Sequence, residues 1–110
     1  MSEPVDLTNL RSITDGDRDM EQALFEEFVS SFEAGIAELQ SNVTDSVSES
    51  WRKNAHALKG IAVNLGAFRL GDLCKKAQEE FSSTQENKSD MAGRIQEEYI
   101  LVKKFLSELA

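Results

Sequence analysis

Proline and cysteine are nearly absent from this chain of 110 residues, and their scarcity limits what it can form. The one proline is Pro4, so no later position is barred from helical structure by a proline ring. The one cysteine, Cys74, excludes an internal disulfide framework, and we expect it to be a small buried hydrophobic residue. Only six glycines and 7% aromatic residues argue against a turn-rich β protein. A helical protein is therefore the simplest prediction.

Long apolar segments are also missing. No run approaches the roughly 20 apolar residues that a membrane-spanning helix needs. Residues 1–17 are polar and lack the apolar core of a secretory signal, so we expect a cytoplasmic location. The length suits one domain over residues 1–110, and the initiating Met1 with its short polar lead favours a free-standing one.

Charge is distributed unevenly around the only histidine, His56. The whole chain carries a net charge of −8, which makes it a poor general nucleic-acid binder. Residues 51–76, however, contain six basic residues and one acidic residue, a charge of +5. The rest of the chain has six basic and nineteen acidic residues, a charge of −13. A local basic region therefore surrounds the histidine on an otherwise acidic protein.

Apolar residues recur at intervals of three and four in four segments, the spacing of amphipathic helices. The predicted helices span residues 18–42, 48–65, 67–82 and about 90–109, after a short helix over residues 6–13. Asp17 is the predicted cap of the first long helix, and Gly66 is the predicted stop of the second. Residues 82–89 contain no apolar residue and are expected to be a polar linker. These features predict an all-α fold, an antiparallel up-and-down four-helix bundle with a short N-terminal lead-in helix.

His56 is predicted to lie away from the core. A helix turns by about 100° per residue, which places His56 roughly 140° from the apolar stripe of its helix. Gly60 follows one turn later on the same side, where a helical glycine costs about 1 kcal/mol relative to alanine. A glycine there would leave room for a partner to reach the imidazole. Taken singly, an exposed histidine, a lysine three residues later and a helical glycine are each commonplace, and such a glycine usually accommodates a neighbouring helix.

Together, these residues form a longer pattern. The run from His56 to Ala67 resembles the signature of histidine-containing phosphotransfer (HPt) domains: a histidine, any residue, leucine, lysine and glycine, then a leucine–glycine pair that ends the helix. Residues 70–79 are similar to the family's next helix, and a weaker similarity extends over the whole chain. The resemblance implies a helical bundle that carries a phosphoryl group.

The resemblance also implies roles for four residues. His56 would accept and donate the phosphoryl group, and Lys59 would offset its negative charge. Gly60 would keep the approach open, and Gln78 would hydrogen-bond to the histidine Nδ1, leaving Nε2 free to attack. Some family members have a further basic residue about one turn after that glutamine, but this chain has Ser82 there.

The same resemblance implies that the partners are response-regulator receiver domains and a hybrid sensor histidine kinase. The chain has neither a GxxxxGK[ST] nor a GxGxxG motif, so we expect a phosphocarrier rather than an enzyme, without an ATP-binding or autokinase site. It needs no cofactor of its own, since the receiver would supply Mg²⁺. We expect a monomer that binds neither nucleic acid nor membrane.

Three other interpretations start from the same residues: an interaction module, a zinc site and an enzyme. A helical interaction module could bind a receiver or kinase without carrying phosphate, although histidine, lysine and glycine together speak against it. One histidine and one cysteine cannot fill a four-ligand zinc site, and no catalytic triad is evident. Candidate docking residues are Ile61, Val63 and Phe68, with Phe25 or Val29 from the preceding helix. Core packing is the preferred explanation for Phe25 and Phe68.

Overall fold

The computed structural model describes residues 4–43 and 48–108, which form five helices. They are α1 (Thr8–Thr14), α2 (Arg18–Ser41), α3 (Ser48–Leu65), α4 (Phe68–Glu79) and α5 (Gln85–Glu108). Helix α2 packs against α3, α3 against α4, α4 against α5, and α5 back against α2, while α1 lies against α2. The predicted all-α four-helix bundle with a lead-in helix is confirmed. No helix in the described part of the chain is both long and apolar enough to cross a membrane.

Helix α3 has the bounds and the buried face that its periodicity predicts. Its apolar residues, spaced at four and three, all point into the bundle with at most 6% exposure: Trp51, Ala55, Leu58, Ala62 and Leu65. Helix α2 likewise begins at Arg18, where the predicted cap Asp17 accepts a hydrogen bond of 3.1 Å from the backbone N–H of Met20. Local sequence therefore determines the bounds and the buried face of α3 and the start of α2.

Gly66 ends α3 as expected and turns the chain directly into α4. Its φ of 99° lies in the left-handed region, where a side chain would be strained. The backbone N–H of Ala67 donates to the carbonyl of Ala62 at 2.9 Å, and that of Gly66 donates to Val63 at 3.0 Å, which together make a Schellman stop. The N-terminal segment covers this turn, since Asp6 N–H donates to the Gly66 carbonyl at 2.9 Å.

Small residues let α3 and α4 approach closely. A Cβ at Gly71 of α4 would lie only 2.8 Å from Cγ2 of Val63 on α3. Three alanines that face the bundle interior, Ala62, Ala67 and Ala77, are fully buried. This close approach brings side chains on the outer edges of the two helices within reach of each other.

The start of α5 was predicted wrongly. The helix begins at Gln85, not near residue 90, because the Thr84 hydroxyl accepts a hydrogen bond of 3.1 Å from the Asn87 backbone N–H and caps it. Lys88, in its polar first turn, is buried, with Nζ 5.5 Å from the centre of the Trp51 ring. The connection before α5 is therefore shorter than the polar run suggests.

Three smaller corrections concern helix ends. Helix α4 stops at Glu79, three residues before its predicted end, so Phe81 follows the helix and is exposed instead of facing inward. Met20 is also exposed, because the buried face of α2 starts only at Phe25. The lead-in helix runs over Thr8–Thr14 rather than residues 6–13, and Asp6 accepts a hydrogen bond from its first backbone N–H. Residue 109 of the predicted last helix lies outside the described residues.

Candidate functional site

His56 lies near the middle of α3 and its side chain is exposed, on the face predicted for it. The residue before it, Ala55, and the residue two positions later, Leu58, are both fully buried. Their burial fixes the rotation of the helix about its axis. The imidazole is therefore presented to solvent by one of the most firmly packed segments of the bundle.

One ring nitrogen of His56 already has a partner. Nδ1 lies 3.3 Å from Oε1 of Gln78, a half-buried residue in the last turn of α4. An amide oxygen can only accept, so a hydrogen bond at this contact is formed by the tautomer with the proton on Nδ1. The lone pair of Nε2 is then directed away from α4. The structure thus brings together the two residues for which the family resemblance implied this contact.

Gly60 opens the surface beside the imidazole. A Cβ built on Gly60 would meet no atom within 4 Å. The contrast with two other helical glycines is clear, because a Cβ at Gly35 would collide with Leu58 and one at Gly71 with Val63. Those two glycines are needed for packing inside the molecule. Contacts with the described residues do not require a glycine at position 60, and its lack of a side chain leaves the surface beside His56 open.

The basic residues around the site differ in their availability. Arg52, one turn before His56, donates from Nε to Glu49 at 3.1 Å, and this hydrogen bond holds the pKa of the Glu49 carboxyl below its usual range. Arg69 forms an ion pair of 3.2 Å with Glu98. Lys59 is half-buried, and no carboxylate lies within ion-pair distance of it in residues 4–43 or 48–108. Lys59 is therefore better placed than Arg52 to meet an incoming anion.

An apolar area borders the site on α3 and the start of α4. Val63, two turns beyond His56 on the same side, is 41% exposed, and Phe68 is 46% exposed. Core packing was the preferred explanation for Phe68 and is wrong, whereas Phe25 is buried as preferred. Ile61 and Val29 are half-buried. The exposed apolar candidates for docking are thus Val63 and Phe68.

Several structural links around the site carry no local sequence signal. The indole N–H of Trp51 donates to the backbone carbonyl of Ala77 at 2.7 Å, and Lys88 Nζ lies 5.5 Å from the centre of the same ring. Asn54 Nδ2 donates to the Gly35 carbonyl at 3.0 Å and ties α3 to α2.

Cys74 is fully buried, as expected, and burial raises the pKa of its thiol to about 12.

Comparisons with known proteins agree with this geometry. The family model of the Hpt domain matches residues 23–110, which include α3, α4 and α5 in full. The fold is similar to the crystal structure of histidine-containing phosphotransfer protein B (HptB) from Pseudomonas aeruginosa PAO1, with a TM-score of 0.86. The two chains are 22% identical over 98% of this chain and 95% of that chain, so this likeness concerns the fold. No curated protein matches the sequence.

Proposed function

The chain belongs to the Hpt domain family and acts in histidine phosphotransfer in two-component signalling, and within that function we propose that His56 carries the phosphoryl group. The observation that supports this assignment is the exposed imidazole with Nδ1 held by Gln78. His56 is also the only histidine in the chain. Lys59, Gly60 and Gln78 assist it in the roles that follow.

The tautomer set by Gln78 makes His56 ready to accept. With the proton on Nδ1, Nε2 attacks the phosphorus of an aspartyl phosphate. The new bond joins phosphorus to Nε2, the bond from phosphorus to the aspartate oxygen breaks, and the aspartate leaves as a carboxylate. No proton has to leave the attacking nitrogen. The ring then carries a positive charge that the Gln78 oxygen stabilises, and the same steps in reverse return the phosphoryl group.

Lys59 and Gly60 act on the approaching group. The Lys59 ammonium, on the turn after His56, offsets the charge of the phosphoryl oxygens. Gly60 leaves the space through which a donor can align its phosphorus with Nε2. Phosphoryl transfer depends on positioning and on electrostatic stabilisation more than on covalent assistance, and in this proposal Gly60 and Lys59 contribute to these on the side of the carrier.

The partners of the family are receiver domains and kinases of phosphorelays, and the surface of this chain suits a receiver. The helices α3 and α4 carry six basic and three acidic residues. This positive charge complements the carboxylates that hold Mg²⁺ in a receiver, and it favours the encounter of the two proteins. Val63 and Phe68 supply exposed apolar contact area beside the histidine. We therefore propose that a receiver docks over α3 and the start of α4.

The chain acts as a phosphocarrier in this proposal. The receiver brings the aspartyl phosphate and Mg²⁺, and the carrier needs no cofactor of its own. It neither binds ATP nor phosphorylates itself, in keeping with the lack of a glycine-rich phosphate loop in the sequence. We propose that it works as a monomer, because the helices of the bundle pack their apolar faces against one another. The polar sequence of residues 1–17 supports a cytoplasmic location for it.

A phosphotransfer assay tests the proposal. The purified chain is mixed at neutral pH with phosphorylated receiver domains from the same organism, and intact mass is measured with His56→Gln as the control. One added phosphoryl group that is labile in acid, present on the wild type and absent from the variant, is the expected result. Binding of a receiver without transfer, from donors shown to be active, would instead support an interaction module that carries no phosphate.

A further inference from the structure

Trp51, the only tryptophan in the chain, joins α3 to the end of α4. Its side chain is fully buried, and the indole N–H donates to the carbonyl of Ala77 at 2.7 Å. The carbonyls in the last turn of a helix lack partners further along that helix and must be satisfied by other groups. The indole thus caps the last turn of α4 from a neighbouring helix.

The indole ring is itself held on another side by α5. Lys88 Nζ lies 5.5 Å from the ring centre, and the Lys88 side chain is only 3% exposed. Cations over the face of an indole are attracted by the negative charge of its π system. Three helices therefore meet at Trp51, and the position of its N–H is fixed by contacts on α3, α4 and α5.

The capped carbonyl lies one residue before Gln78. Helices α3 and α4 are thus linked twice at this end, through Trp51 to Ala77 and through His56 to Gln78. The first hydrogen bond is buried and short, whereas the second is exposed and 3.3 Å long. An exposed hydrogen bond competes with water and contributes little net stability, so it cannot hold the end of a helix in place by itself.

We propose that Trp51 is a positioning residue for phosphotransfer: its bond to Ala77 holds the last turn of α4 so that Gln78 stays against His56 Nδ1. This inference rests on the proposed role of His56. Without the indole N–H, the last turn of α4 loosens, Gln78 leaves the ring and the Nδ1-protonated tautomer loses its preference. Transfer slows by about two- to tenfold, the range expected for one hydrogen bond.

Nitrogen NMR of the imidazole gives the direct measurement. The chain has one histidine, so a sample labelled with ¹⁵N-histidine reports only on His56. At a pH where the ring is neutral, the wild type is expected to show the tautomer with the proton on Nδ1. Trp51→Phe and Gln78→Ala should both shift the population towards Nε2–H, and the double variant should shift it no further, because both changes remove the same constraint.

Two further variants distinguish a positioning role of the Trp51 N–H from a general effect of Trp51 on core packing. Phe32→Leu shortens a fully buried side chain of α2 and leaves a cavity beside Tyr99, on which the Phe32 ring stacks. This variant should have a lower free energy of unfolding and an unchanged His56 tautomer. Replacing Trp51 by 3-benzothienylalanine keeps the shape of the ring and substitutes sulfur for the N–H. This analogue should reproduce the tautomer shift even if Trp51→Phe does not fold.

The transfer rate from a phosphorylated receiver is measured on the same proteins. A slower rate in the Trp51 and Gln78 variants, with the wild-type rate in Phe32→Leu, supports the inference. A wild-type tautomer in the benzothienyl protein, or no shift in Gln78→Ala, would overturn it. The NMR result needs no phosphoryl donor, so it distinguishes a failure of the positioning role from a failure of the proposed function.

Discussion

The two halves of the bundle differ in charge. Helices α3 and α4 together carry six basic and three acidic residues, a net charge of +3, whereas α2 and α5 carry five basic and eleven acidic residues, a net charge of −6. Every residue assigned to phosphotransfer lies on the positive pair. In the proposed docking, this difference would attract an acidic receiver to the α3–α4 side and repel it from the α2–α5 side, which would orient the encounter before contact.

The two halves differ equally in packing. Between α2 and α5, large rings fill the core: Phe32 stacks on Tyr99 with ring centres 5.1 Å apart, and Phe28 lies 5.4 Å from Phe32. Where α3 and α4 approach each other closely, the side chains are small, with Ala62 facing Gly71, and the one large buried ring of this pair, Trp51, lies further along at the end of α4. Bulky contacts stabilise the half without a site, whereas small residues bring His56 and Gln78 together in the other half.

The largest effect is expected from a change in the aromatic half. Phe32→Ala removes a fully buried ring and should lower the free energy of unfolding by about 3–5 kcal/mol, as large-to-small core changes do. Denaturant titration measures this loss. The folded fraction of the variant should still accept a phosphoryl group at the wild-type rate. A slower rate per folded molecule would show that the two halves are not separate in function.

A substitution at Gly60 tests most directly whether the α3–α4 half needs open space beside His56. Gly60→Leu places a side chain in the open space beside His56 and should slow transfer by about 10- to 100-fold, the scale associated with a misplaced reacting group. Stability should not fall, because leucine favours helix over glycine. Single-turnover transfer from a phosphorylated receiver measures the rate.

Gly93 in α5 is a matched control for that substitution. It too is an exposed helical glycine at which a Cβ would meet nothing within 4 Å. Gly93→Leu should therefore stabilise the helix to the same degree and leave transfer unchanged. Equal slowing by both leucines would mean that the space beside Gly60 has no special part in the approach of the partner.

Much of the helical bundle was predictable from the sequence, but not every helix end was. The bounds of α2 and α3 and the exposed face of His56 follow from long apolar periodicity with clear boundary signals, the cap Asp17 at the start of α2 and Gly66 at the end of α3. The start of α5 does not, because Thr84 caps it and Lys88 buries its stem without adding to an apolar pattern. Periodicity detects helices through their apolar face and misses turns made of polar residues.

The site itself was accessible only through resemblance. His56 and Gln78 are 22 positions apart on different helices, so no local spacing indicates their contact. The bond from Trp51 to Ala77 was missed for a further reason. Its acceptor is a backbone carbonyl, which every residue has, so the identity of Ala77 contains no sign of it. Sequence patterns located His56 but not the contacts that hold Gln78 and the end of α4 beside it.

A smaller effect is expected from the charge of Lys59. Lys59→Gln should slow transfer by about fivefold, since one partly exposed charge contributes about 1 kcal/mol. Its control, Lys104→Gln on α5, makes the same change of charge on an exposed lysine of the opposite half. Transfer rates at low and high salt measure both, and the difference between them should shrink as salt screens the charges. Identical rates for the two variants would argue that net charge, not position, matters.

The smallest effect concerns a carboxylate that stabilises only the α2–α5 half. Glu33 accepts hydrogen bonds from Lys103 at 2.8 Å and from the Tyr99 hydroxyl at 2.7 Å. These contacts, with Lys103 the larger cause, hold the pKa of Glu33 below its usual value of 4.5. The stability that they supply is present above that usual value and is lost as the pH falls through the lowered one.

Glu33→Gln should therefore make the loss of stability on acidification less steep below about pH 4.5, without changing phosphotransfer at neutral pH. Thermal unfolding at a series of pH values measures the slope. Glu27→Gln, which removes another exposed carboxylate of α2, should leave a steeper slope than Glu33→Gln. If the two variants gave the same slope, the Glu33 contacts would add nothing to stability. If Glu33→Gln slowed transfer, the acidic half would have to be counted as part of the site.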